Sequence, residues 1–163
     1  MTITQAQVST PAPYAELRTC PDTGSRSLHA AKDFSPGEVV AHFGARQIFN
    51  QPNYLTVQID DSTHILLAPE FLQYINHSCD PNLFFDTNDF EEKGGVITAL
   101  RPIKVGEEFS FFYPSTEWAM DRSFDCICQT KNCLGKIQGA SQLPLDVVKN
   151  YKLSDYIQSK LDL

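Results

Sequence analysis

A mainly β fold with short helices and a metal-binding knuckle is the architecture that three features of the 163-residue sequence predict. Short runs rich in β-branched and aromatic residues recur along the chain, helical patterns are few and brief, and three cysteines crowd into "CICQTKNC" (126–133). With 42% hydrophobic residues, eleven Phe and six Tyr, the chain has enough apolar side chain for one compact core and too much for a disordered segment.

The elements follow in order. "VVAHFG" (39–44) is a strand candidate; "LTVQID" (55–60) alternates apolar and polar, "DDST" turns, and "HILLA" (64–68) returns, which predicts a hairpin. Pro69 opens a short helix, "PEFLQYIN", at a position where its missing N–H costs nothing. "NLFFD" (82–86), "GVITAL" (95–100) and "EFSFFY" (108–113) predict further strands, with a turn at "RPIKVGEE" between the last two. Beyond Cys133 the pattern becomes helical in "PLDVVKNYKLSDYIQSKL", where Ile157 and Leu161 stand one turn apart.

The net charge of −7 disfavours direct nucleic-acid binding and favours a basic partner. No segment approaches the ~20 apolar residues of a membrane span, and the polar start "MTITQAQVSTPAPY" has no signal-peptide core, so an intracellular protein without membrane contact is expected, with a monomer favoured. In a reducing compartment the five cysteines are better read as metal ligands than as disulfides. The C-x-C-x4-C spacing lets Cys126, Cys128 and Cys133 converge on one zinc ion, which requires a fourth ligand from elsewhere; Cys79 and Cys20 are the candidates.

"INHSCDPN" (75–82), "GEEFSFFY" (106–113) and "CICQTKNCLGKI" (126–137), in that order, resemble the signature segments of SET-domain protein lysine methyltransferases with a C-terminal post-SET zinc segment. "SRSLHAAKDFSPGEVVAHFG" (25–44) is similar to the family's opening strands, and the likeness spans roughly residues 13–139. It implies small curved β-sheets with a pseudoknot-like crossing, S-adenosylmethionine as cofactor, and one structural zinc held by Cys79, Cys126, Cys128 and Cys133. The implied layout is a flexible arm (1–12), a SET domain (13–118), a post-SET segment (119–139) and a helical tail (140–163).

By the same resemblance, Ser25, Arg26, Ser27, Leu28, Asn76, His77 and Tyr113 contact the cofactor, and Tyr113 is the active-site tyrosine. Phe111 and Trp118 would wall a channel for the lysine of a basic protein or peptide, histone or not. The sequence departs from the family in having serines at Ser25 and Ser27 where glycines are usual, and Phe112 where Asp is common. Those departures motivate a rival reading as a catalytically weak peptide-binding scaffold. His29, His42 and His64 fall in apparent strands and are expected to be structural or surface residues.

Period two along "FSFFY" places Phe109, Phe111 and Tyr113 on one face and Ser110 and Phe112 on the other. No strong base is visible in these segments. Deprotonating a lysine at neutral pH costs roughly 4 to 5 kcal/mol from its ordinary pKa, so an apolar channel and a nearby sulfonium would have to favour the neutral amine.

Overall fold

The computed structural model describes residues 6–163. Three sheets and a few short helices make up the described residues. Strands β1 (Gln7–Ala12), β2 (Ala15–Thr19) and β3 (Arg26–Ala30) form an antiparallel sheet in that order. The predicted loose arm is therefore a paired strand over Gln7–Ala12, because Gln7, Val8 and Ser9 lie opposite Thr19, Arg18 and Leu17 and the ladder satisfies their backbone; residues 1–5 of that arm lie outside the described residues.

The main sheet has seven strands: β4 (Val39–Phe49), β5 (Val57–Gln58), β6 (His64–Ala68), β7 (Asn76–His77), β8 (Leu83–Asp86), β9 (Gly95–Ala99) and β10 (Ser110–Phe111). Their spatial order is β5-β6-β4-β9-β8-β10-β7. The predicted hairpin exists, with Val57 opposite Ile65 and Gln58 opposite His64, but its first arm is only two residues long. Asn53 and Thr56 close a turn on each other through three hydrogen bonds and withhold the preceding residues from the ladder. The "PEFLQYIN" helix is a single stretch of 3-10 turn, Glu70–Tyr74, and Asn76 and His77 leave it as strand β7.

β10 runs parallel to both of its neighbours, β7 and β8, which are themselves joined by residues 78–82. A segment from late in the chain thus lies between two strands of one earlier loop, a threading that most folds avoid. Asn82, 1% exposed, holds it there: its Nδ2 donates to Glu108 O at 2.8 Å and its Oδ1 accepts from Ser110 N at 2.9 Å. Ser78 N–H adds a bond to Phe111 O at 3.1 Å.

The face expected from period two is present. Phe109 and Phe111 are buried in the main core, with Tyr113 packed against it, whereas Phe112 belongs to a second cluster with Ala140, Val148, Leu153 and Ile157. That second cluster fastens the C-terminal segment, whose expected helix is split into α2 (Leu145–Val148) and α3 (Asp155–Lys160). Between them Tyr151 turns inward and stacks flat on Phe112, ring centroids 3.6 Å apart, and Ser154 Oγ caps α3 by accepting Ile157 N–H at 3.2 Å. Phe112, where the family often has Asp, serves as the platform for this tail. A short α1 helix (Phe90–Lys93) and the hairpin of β11 (Phe124–Asp125) with β12 (Lys136–Ile137) complete the structure.

Candidate active site

The turn after β7 sends neighbouring side chains in different directions. Asn76 is half-exposed; its Nδ2 donates to Arg26 O at 3.0 Å and to Glu108 Oε1 at 3.3 Å. The Arg26 guanidinium lies over the Tyr74 ring and donates to the Tyr74 hydroxyl. Arg26, Tyr74 and Asn76 therefore form one polar, solvent-facing group. Tyr74 and Glu108 are additions that motif matching alone did not supply.

Three expected cofactor residues do not direct their side chains there. Leu28 is fully buried in the main core and its carbonyl accepts Phe109 N–H at 2.8 Å. Alternation along β3 points Ser27 to the opposite face from Arg26, where its hydroxyl bonds His29 Nε2 at 2.9 Å. Ser25 is exposed, and its N–H donates to Thr23 Oγ1 at 3.2 Å. Besides Leu28 and Ser27, His77 also turns away, its ring packed inward among Phe112, Tyr113 and Phe124. Its Nδ1 accepts Tyr113 N–H at 3.2 Å, its Nε2 lies 3.4 Å from Cys79 Sγ, and burial pushes its pKa down to about 4.

Cys79, Cys126, Cys128 and Cys133 bring their four sulfurs within 4.8 Å of one another. Tetrahedral zinc–thiolate bonds of about 2.3 Å require sulfurs roughly 3.8 Å apart. The Cys79–Cys126 separation is 3.8 Å, so the cluster fits one zinc ion, and Cys20 is outside it. The pinning bonds are local: Cys126 N–H to Gly135 O at 2.7 Å, Cys133 N–H to Thr130 O at 3.1 Å, and Leu134 N–H to Cys79 Sγ at 3.4 Å. Burial drives the Cys79 thiol upward and Cys126 to about 11. Burial also acts on Cys128, but hydrogen bonding with Thr130 outweighs it and holds that thiol at about 6. Cys128 is thus more readily ionised than Cys79 and Cys126, whose thiols would lose their protons on binding a cation.

A cavity of about 290 Å³ opens beside Tyr113, lined mostly by apolar side chains including Val57, Leu67, Leu72, Ile75, Phe111 and Phe124. Phe111 stands 4.7 Å from the Tyr113 ring and 4.2 Å from Phe85, centroid to centroid. The Tyr113 hydroxyl donates to Ile75 O at 3.3 Å, beside the polar group at Asn76. Burial, and then the nearby Glu117 carboxyl, raise the Tyr113 pKa above its ordinary value, so the phenol stays protonated.

Trp118 is not part of this lining. It packs on the second cluster beneath the Lys160 ammonium, and Gly139 sits so close to its carbonyl that an added Cβ would lie 2.2 Å away. The chain turns after Glu117 to join the C-terminal cluster, which takes Trp118 away from the cavity. Its neighbour Glu117 lines the cavity instead, and sequence reasoning missed it. The available signal was a lone acid inside the run "FFYPSTEWAM".

The SET-domain family profile matches residues 25–114, more than half of the chain, and the chain belongs to the SET-domain family. Methyltransferase flvH of Aspergillus flavus is 41% identical over 108 residues, which cover 66% of this chain and 58% of that protein. A histone-lysine N-methyltransferase of Coccidioides immitis, H3 lysine-36 specific, is 39% identical over 133 residues, covering 71% of this chain and 13% of the relative. The chain therefore spans less than two thirds of the curated relatives it matches. Among solved structures, KRYPTONITE in complex with mCHH DNA, an H3(1–15) peptide and SAH shares the fold, with TM-score 0.57, 22% identity, and coverage of 74% of this chain and 28% of that one. Among the described residues, no helix is long and apolar enough to cross a membrane.

Proposed function

We propose that this chain is an S-adenosylmethionine-dependent N-methyltransferase acting on the lysine side chain of a basic protein, with histone H3 as a candidate. The observation that carries the reading is Tyr113, which lines the apolar cavity of about 290 Å³ and whose hydroxyl donates to Ile75 O, the residue next to Asn76 of the polar group. The histone methyltransferase relatives and the H3 peptide bound by KRYPTONITE point the same way.

The donor set suits the cofactor. A guanidinium at Arg26 complements an amino-acid carboxylate, the Tyr74 ring offers a face for stacking, and the Asn76 amide can bond the remaining polar atoms. Gly24, at φ +71° with nothing within 4 Å of an added Cβ, provides the backbone freedom that Ser25 and Ser27 lack. When bound, S-adenosylmethionine supplies an electrophilic methyl on a sulfonium.

The chain's own residues do the positioning. Phe111, Leu67, Leu72 and Ile75 exclude water from the amine and thereby favour its neutral form. The Tyr113 hydroxyl, protonated and tied to Ile75 O, fixes one side of the transfer path. Holding two reactants at attack distance contributes on the order of 7 to 11 kcal/mol. The net charge of −7 favours a basic peptide over a phosphate backbone. The test is a radiolabelled-cofactor assay against histones, ribosomal proteins and a lysine peptide array. Label in a lysine-bearing substrate is expected; cofactor binding without transfer to any of them would favour the scaffold reading.

A further inference from the structure

Two acids line the cavity, and they differ in kind: Asp121 is exposed at the rim, whereas Glu117 is 6% exposed and reaches the interior. The Glu117 backbone is fixed on both sides, by its N–H to Tyr113 O at 3.1 Å and by Ala140 N–H to its carbonyl at 2.8 Å. Its carboxylate is used unevenly. Gln58 N–H donates to Oε1 at 3.0 Å and the Thr116 hydroxyl to the same oxygen at 3.4 Å, while Oε2 accepts no hydrogen bond among the described residues.

Tying β5 to the segment after Tyr113 requires one acceptor oxygen, which a glutamine would provide without the cost of burying an ionisable group. A half-satisfied carboxyl on the wall of an otherwise apolar cavity is the arrangement that receives a cation. We propose that Glu117 is the group in this cavity that recognises the substrate amine, accepting an ammonium N–H at Oε2 and then taking its proton. The proposal rests on the methyltransferase reading and names the residue that gives it selectivity for a cationic alkylamine.

The step balances. The N–H bond breaks with its electron pair left on nitrogen, and the proton forms an O–H bond at Oε2. The nitrogen lone pair then forms the N–C bond to the methyl of S-adenosylmethionine, whose C–S pair stays on sulfur. The carboxyl returns its proton to solvent when the product leaves. The electrostatics are consistent: burial holds Glu117 at about 8, against which only the bonds from Gln58 and Thr116 act. The other titratable groups around it are the phenols of Tyr113 and Tyr156, with Asp121 and Arg122 at the rim.

The experiment uses n-butylammonium chloride as a lysine-side-chain probe and n-butanol as its neutral counterpart, in ligand-observed NMR at pH 9 with wild type and Glu117→Gln. Glu117→Gln should bind n-butylammonium at least tenfold more weakly and n-butanol equally well; equal ammonium affinity in the two proteins overturns the proposal. A second measurement needs no variant: saturating wild type with n-butylammonium should lower the titration midpoint of the Glu117 side-chain carboxyl ¹³C resonance, and an unmoved midpoint overturns it too. Neither readout requires turnover. A protein that binds the ammonium through Glu117 yet methylates nothing sinks the methyltransferase reading alone, and an active enzyme whose Glu117→Gln variant keeps KM and pH profile sinks this one alone.

Discussion

The imidazole of His77 joins Cys79 to Tyr113: Nε2 stands 3.4 Å from the Cys79 sulfur and Nδ1 accepts the Tyr113 backbone N–H at 3.2 Å. Since Nδ1 is the acceptor, this bonding pattern assigns the proton to Nε2, directed at the sulfur. A neutral ring, enforced by burial, can serve both partners at once. The cysteine cluster and the tyrosine are thus one side chain apart, although 34 positions separate Cys79 from Tyr113 (113 − 79).

Zinc analysis of the purified protein should return one ion per chain, with Cys79→Ser losing it and Cys20→Ser keeping it. The cluster geometry excludes Cys20, and the 124–137 segment has little core to order it without metal. Chelation should also perturb the Tyr113 environment through His77, visible in aromatic NMR signals. Zinc retained in Cys79→Ser would disprove the ligand set.

Tyr113→Phe and Asn76→Ala should fail differently. On the proposed mechanism the Tyr113 hydroxyl, which donates to Ile75 O, acts mainly at the transition state, so kcat should fall at least tenfold with cofactor affinity nearly unchanged. Asn76 is half-exposed and bonds Arg26 O, so Asn76→Ala should weaken S-adenosylmethionine binding by roughly 1 to 2 kcal/mol with the fold intact. Calorimetric titration beside single-turnover assays separates the two; wild-type turnover in Tyr113→Phe would remove the tyrosine from the mechanism.

Phe111 lines the cavity with its ring centroid 4.7 Å from that of Tyr113, and it carries no hydroxyl to hold a water there. Wild type is therefore expected to reach di- or trimethyl-lysine. Phe111→Tyr should shift products toward the monomethyl form, read by mass spectrometry under excess cofactor. Monomethyl-lysine as the sole wild-type product contradicts this.

Glu117 also gives a stability signature. Its folded pKa of about 8 lies above the ordinary 4.5, so between those values the folded state keeps a proton that the unfolded state releases. Its contribution is full below pH 4.5 and is lost as pH rises through 8. Between pH 5.5 and 8.5 wild type should lose on the order of 3 kcal/mol relative to Glu117→Gln in paired urea titrations. Parallel pH dependences in the two proteins would mean that the carboxyl is not held neutral by burial.

Features with a short-range cause were legible in the sequence. Alternation put Phe109, Phe111 and Tyr113 on one face and Phe112 on the other, since side-chain direction in an extended segment depends only on position. The C-x-C-x4-C spacing gathered three sulfurs because a short loop must bring them close. What only the tertiary structure decided depends on which distant segments meet. Cys79 rather than Cys20 completes the cluster because β10 runs between β7 and β8 and docks the turn that carries Cys79. Ser27 points away from Arg26 by strand alternation alone, but His77 turns inward and Trp118 lies off the cavity because each packs on a partner remote in sequence, Tyr113 and the C-terminal cluster respectively. Glu117 was hidden for the same reason: its place on the cavity wall is set by Gln58, 59 residues earlier, and no local pattern encodes that distance.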